Sequence, residues 1–135
     1  MAIHFSDAVR NAQLDSIETT IGTSAILEII SGSVPASTAA SDSGTVLATL
    51  NLPSNWMADA ASGVKSKSGT WEDVSADASG TATHYRIWDS THTTCHVQGS
   101  VTITGGGGNM ELDNTNLATG QDVKVTAFSF TAGNS

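Results

Sequence analysis

The run from Ala82 to Val101 constrains this chain more than any other stretch. It reads as one long β-hairpin. Ala82, His84, Arg86 and Trp88 share one face of its first strand, and Thr83, Tyr85, Ile87 and Asp89 share the other. The turn falls near Asp89 to His92. On the second strand Cys95, Val97 and Gly99 alternate with His96, Gln98 and Ser100, and Val101 and Ile103 carry it onward. The hairpin holds three of the four histidines, the only cysteine, the only tyrosine, one of two arginines and one of three tryptophans. Any reactive side chains of this protein belong here. If it has no active site, the same residues fill the centre of a β core. The second reading governs the class of function expected below.

The remaining composition fits extended strands. A chain of 135 residues suits one domain with a real core. Charged residues are only 13%, about half the usual share, and Ser, Thr and Gly fill the gap. Such a surface suits strands and tight turns, and it can face neighbours without burying charge. The net charge is -8, and the five basic residues are scattered at Arg10, Lys65, Lys67, Arg86 and Lys124. No basic stripe exists to displace counterions from phosphates, which argues against nucleic acid and anionic membranes as partners. One cysteine makes no internal disulfide. The opening residues lack a basic region and a long apolar run. They predict no signal peptide and assembly in a cytoplasm.

The periodicity predicts one helix, roughly Asp7 to Ile21, capped by Ser6 or Asp7 and ended by Gly22. Ala25 to Ile30 is an apolar run that fits a strand covered on both faces, with the helix as the expected cover. Ser31 to Gly44 is a long small-residue loop, expected to be functional or to meet a neighbour. Thr45 to Leu52 alternates as a strand that Pro53 stops. Gly63 to Ser68 and Thr70 to Ser75 look like a hairpin turning at Gly69. Gly105 to Gly108 breaks the central hairpin and reads as a flexible β-turn. Asn109 to Leu112 suggests a short strand. Gln121 to Phe130 is a final strand, with Val123 and Val125 on one face and Phe128 and Phe130 on the other. That phase change calls for a bulge or burial on two sides. The expected fold is mainly β: a single β-sandwich or jelly-roll-like barrel of about eight strands with one N-terminal α-helix. Residues 1–22 form the helix or arm, and residues 23–135 the β domain. The core set is Leu27, Ile29, Leu47, Trp71, Ile87, Trp88, Cys95, Val97, Val123 and Val125.

The candidate chemistry is thin. His84, His92, Cys95 and His96 are metal-ligand types, but Cys95 and His96 point to opposite faces of a strand. Cys95 near His84 would make a nucleophilic pair, yet a reactive thiolate needs a partly exposed, electropositive setting. No nucleophile elbow and no phosphate loop with lysine is present. The three tryptophans could form a sugar platform; single tryptophans in small β domains are more often core or interface anchors. No cofactor, catalytic residue or metal ligand is assigned.

Several runs carry a resemblance. They are Arg10 to Asp15 with Ile17-Glu18 and Ile21-Gly22, Leu27 to Gly32, Ser43 to Ala48, Gly80 with Ala82 to Ser90, Cys95-His96 with Gln98-Gly99, and Leu112 to Thr115. Together they resemble a group of small tailed-bacteriophage virion structural proteins, most like capsid decoration (cement) proteins. The resemblance implies a non-enzymatic structural part of the head or tail, and within that class capsid decoration on the head exterior is the preferred assignment. Its partners would be the major capsid protein and copies of itself in a homotrimer. A tail or fibre-adaptor component with glycan contact is the alternative, and a small metal-binding or Cys/His enzyme the remote one. On the cement reading the helix and the Ser31–Gly44 loop meet neighbours. The expected interface is Phe5, Val9, Leu14, Ile17, Val34, Pro35 and Trp56.

Overall fold

The structure is a computed structural model that describes residues 3–132. The outer ends of the two predicted segments, residues 1–2 and 133–135, lie outside the described residues. Helix α1 spans Asp7–Ile21. Its start follows from Ser6, whose extended backbone lets the side-chain oxygen accept the Val9 amide at 3.2 Å. Its end follows from Gly22, which takes φ 86° while its amide donates to the Glu18 carbonyl.

Ten strands follow among the described residues: β1 (Ile26–Ile30), β2 (Val46–Asn51), β3 (Val64–Ser66), β4 (Glu72–Asp73), β5 (Gly80–Thr81), β6 (His84–Trp88), β7 (Cys95–Ile103), β8 (Met110–Leu112), β9 (Asn116–Leu117) and β10 (Val123–Thr131). Eight form one sheet in the order β2-β1-β6-β7-β8-β10-β3, with β4 also paired to β10. The pair β5-β9 is a separate ribbon. Among the described residues only β7 and β8 pair in parallel. The sheet curls into a half-barrel. The Thr49 amide of β2 donates to the Asp73 carboxylate of β4 at 3.0 Å, so strands remote in sheet order meet across the interior. The expectation of a sandwich or jelly-roll-like barrel is met at the level of a mainly β chain with one helix; the large sheet is single and curled.

The core fills the curl. Leu27, Ile29, Leu47, Ile87 and Val123 are fully buried, and Trp71, Val125 and Cys95 nearly so. A chain of rings crosses it: Trp56 to Trp71 at 5.9 Å, Trp71 to Phe128 at 5.5 Å, and Phe128 to Tyr85 at 5.3 Å. Tilted and edge-to-face ring pairs at these spacings add to what burial alone contributes. Register shifts between Val125 and Ala127 where β10 faces β8. That bulge changes the phase by one residue, so Val123, Val125 and Phe128 all bury.

The structure corrects several expectations. Leu14 and Trp56, expected at an interface, are buried within the chain. Leu14 lies on the inward stripe of α1, and the Trp56 indole N–H donates to the Gly22 carbonyl at 3.0 Å. Ile17 packs half-buried against the core, and Pro35 is half-buried. Phe5, Val9 and Val34 are exposed. Trp88 and Val97, assigned to the core, are only half-buried. Trp88 ends β6 beside the hairpin turn, and Val97 sits where β7 has lost one neighbour. The segments around Gly69 do not form a hairpin, because β3 and β4 each pair with β10 instead.

The helix is no detachable arm. Lys65 of β3 is 1% exposed, and its ammonium sits 2.7 Å from Asp15 and 3.0 Å from Glu18 of α1. Burial works against that charge, but the two carboxylates outweigh it and hold the Lys65 pKa above its usual value. Asn11 and Asp15 also accept the amides of Gly63 and Ala60.

Candidate functional site: a polar clasp over the central strands

Four consecutive residues of β6, His84 to Ile87, are buried. Successive side chains point to opposite faces, so both faces of this strand are covered. Tyr85 and Ile87 face the core. His84 and Arg86 lie under the Ser31–Gly44 loop.

The loop is held by side chains that the hairpin supplies. His84 Nε2 lies 2.6 Å from Asp42 Oδ2, and its Nδ1 lies 2.9 Å from the Thr83 hydroxyl. A carboxylate only accepts, so Nε2 carries the proton. Burial disfavours the Asp42 carboxylate. The hydrogen bond from His84, the Gly44 amide at 2.7 Å and the charges of His84 and Arg86 outweigh it, and the pKa falls below its usual value. Arg86 Nη2 donates to the carbonyls of Thr38 at 2.7 Å and Ala40 at 3.0 Å. Gln98 Nε2 donates to the Pro35 carbonyl at 2.8 Å. Gly44 is required where the loop rejoins the sheet, because a Cβ there would collide with the Ser31 carbonyl oxygen.

A cleft of about 560 Å³ lies between this loop and the hairpin tip. Glu28, Asp42, Arg86, Trp88, His92 and Cys95 line it. Glu28 Oε2 pairs with His92 Nε2 at 3.1 Å. His92 takes φ 56°, a left-handed backbone that costs a non-glycine residue energy. Its ring stacks on Trp88 with centroids 4.1 Å apart. The Arg86 guanidinium lies 5.2 Å from the Trp88 ring centre. Arg86 Nε and Trp88 Nε1 have no partner among the described residues, but both atoms are sealed from the cleft.

The chemistry follows. Cys95 is buried, which pushes its thiol pKa up against the pull of Arg86. Its Sγ donates to the Val97 carbonyl at 3.5 Å, and neither His84 nor His92 is spent on it. His96 lies near α1, away from the clasp. The three hairpin histidines are therefore dispersed. Among the described residues no three of His, Cys, Asp and Glu gather as a metal site. Trp56 and Trp71 are buried, and Trp88 is engaged by His92 and Arg86, so no tryptophan offers an open ring to a sugar.

Glu28 and Asp42 escaped the sequence reading. Glu28 was legible as the one acid within an apolar strand. Asp42 carries no local signal, because its partner is 42 residues away. Comparison with family models, with curated proteins and with solved structures finds no match. No helix among the described residues is long and apolar enough to cross a membrane.

Proposed function

We propose that this chain is a non-enzymatic virion structural protein of a tailed bacteriophage, acting as a capsid decoration protein on the head exterior. One observation carries the non-enzymatic part. The side chains best suited to chemistry are committed within the chain: His84 to Asp42 and Arg86 to two carbonyls hold the Ser31–Gly44 loop, and His92 pairs with Glu28 of β1. The resemblance carries the virion part. The low charge, hydroxyl-rich surface and exposed Phe5, Val9 and Val34 suit repeated contacts with a shell and with further copies of the chain. The partners on this reading are the major capsid protein and two more copies in a homotrimer. Many modest interfaces, each about 800 Å² per partner, add up to a stable coat.

The test is addition of purified chain to shells that lack it. The expected result is saturable co-sedimentation and a higher temperature of DNA release. Shells that neither bind the chain nor gain stability would remove the decoration role. A tail or fibre-adaptor role keeps the virion class, but the engaged tryptophans give its glycan contact no support.

A further inference from the structure

Among the described residues the large sheet has a vacant strand position. β7 is nine residues long, but β8 pairs with it only at Val101 to Ile103. β10 is equally long, and β8 pairs with it only from Val125 to Phe128. Beyond Met110 no described residue continues the line of β8. Cys95 to Ser100 of β7 flank it on one side and Ser129 to Thr131 of β10 on the other. The two edges do not close on each other. A cavity of about 430 Å³ lies between them, lined by Val97, Gln98, Ser129, Phe130 and Thr131 over Tyr85. A second of about 350 Å³ continues it towards Ile17 and Thr20 of α1.

Backbone direction points hydrogen-bonding groups into this gap. The Val101 amide donates to Thr83, away from the gap, whereas the Ser100 amide faces it and donates to the Asn109 side-chain oxygen at 3.0 Å. By alternation the amide and carbonyl of Gln98 also face the gap. On β10 the Phe128 carbonyl and the Ala132 amide bond towards the β3 side, so Ser129 and Thr131 face the gap. Asn109 thus stands in for a strand at the first rung, and no described residue does so at the next rungs.

We propose that this gap is a docking site for an extended segment of another protein, about three to four residues long, added as a strand in line with β8. The segment is uncharged and carries apolar side chains at alternate positions. No Lys, Arg, Asp or Glu lines either cavity, although the chain carries a net charge of -8. A charged side chain would lose water there without a counter-charge. The apolar floor of Tyr85, Val97 and Phe130 receives the other face. Because strands bound the gap on both sides, the edge of a second sheet cannot enter, and only a free segment fits. The inference stands apart from the virion reading.

The test is amide hydrogen exchange by NMR on the whole chain, with acetyl-Thr-Val-Thr-Ile-Thr-amide as the probe at millimolar concentration. In the free chain, Gln98, Ser129 and Thr131 exchange faster than Val101 and Val125. The peptide slows those three by about ten-fold. The same peptide N-methylated at Val and Ile, or with Lys in place of Ile, does not. Gln98→Pro, which deletes a gap-facing amide, weakens the protection at Ser129. Slow exchange of the three amides in the free, dilute chain would overturn the proposal, as would equal effects of all three peptides or no effect of the first. Protection that rises with the concentration of the chain alone would mean that a second copy fills the gap, and would overturn the assignment to a foreign segment. If the proline variant does not fold, the peptide comparison on the natural chain decides.

Discussion

Tyr85 joins a core ring chain on one side and lies over Gly99 on the other; a Cβ at Gly99 would sit 2.8 Å from its ring. Burial pushes its phenol pKa up to about 12. The unfolded chain ionises near 10, so the folded state loses ground as pH rises from 10 towards 12, by roughly 2–3 kcal/mol. Urea unfolding at pH 8 and pH 11 should show about half of that loss, roughly 1.4 kcal/mol for the one pH unit above 10, and Tyr85→Phe should remove most of it. Trp56 and Trp88 separate the two environments of this molecule. Trp56→Ala should cost about 3–5 kcal/mol, the usual cost of truncating a buried aromatic, and Trp88→Ala clearly less, since its ring is half-exposed. Thermal midpoints of the two variants decide the order, and equal losses would contradict it. Sequence reasoning placed Trp88 in the core because alternation reports which face a residue takes. It does not report how far along the strand the cover extends.

The elements show a similar limit. The bounds of α1 were readable, because Ser6 and Gly22 act on their own turns. The bulge in β10 was readable from the phase change before Phe128. The parallel step from β7 to β8 was not. There Gly105 and Gly107 take φ of 85° and 81°, while a Cβ at Gly106 or Gly108 would come within 2.7–2.8 Å of the Thr102 side chain. The run is a tight turn built around Thr102, not a flexible break. The Ser31–Gly44 loop was flagged for its length, but its anchors come from distant strands and leave no local trace. Its attachment predicts two outcomes. Asp42 contributes stability above the ordinary carboxylate pKa of 3.8 and loses it as pH falls through its lowered value. Limited proteolysis within the loop should therefore rise below about pH 4, and Asp42→Asn should show that susceptibility already at pH 7. Deleting residues 1–22 should abolish cooperative unfolding, because it strips Lys65 of both carboxylates and Trp56 of its acceptor. A truncated chain that keeps its near-ultraviolet circular dichroism would refute that role for α1.

On the scale of the whole molecule, a curled sheet, one helix and one covering loop enclose most of the chemistry the sequence offers. What faces outward is largely hydroxyl, glycine, acid and a few apolar side chains, with an incomplete strand row between β7 and β10. Such a surface suits the proposed role, in which the molecule acts by being held in place. Its spacings and periods told of a β chain and of a hairpin at its centre. They did not tell that the sheet is single and curled, since closure depends on contacts such as Thr49 to Asp73 that no period encodes. Electron cryomicroscopy of particles assembled with and without this chain tests that account most directly. The account predicts difference density matching the half-barrel on the outside of the head, repeated around local three-fold positions. Identical maps, or added density confined to the tail, would contradict it.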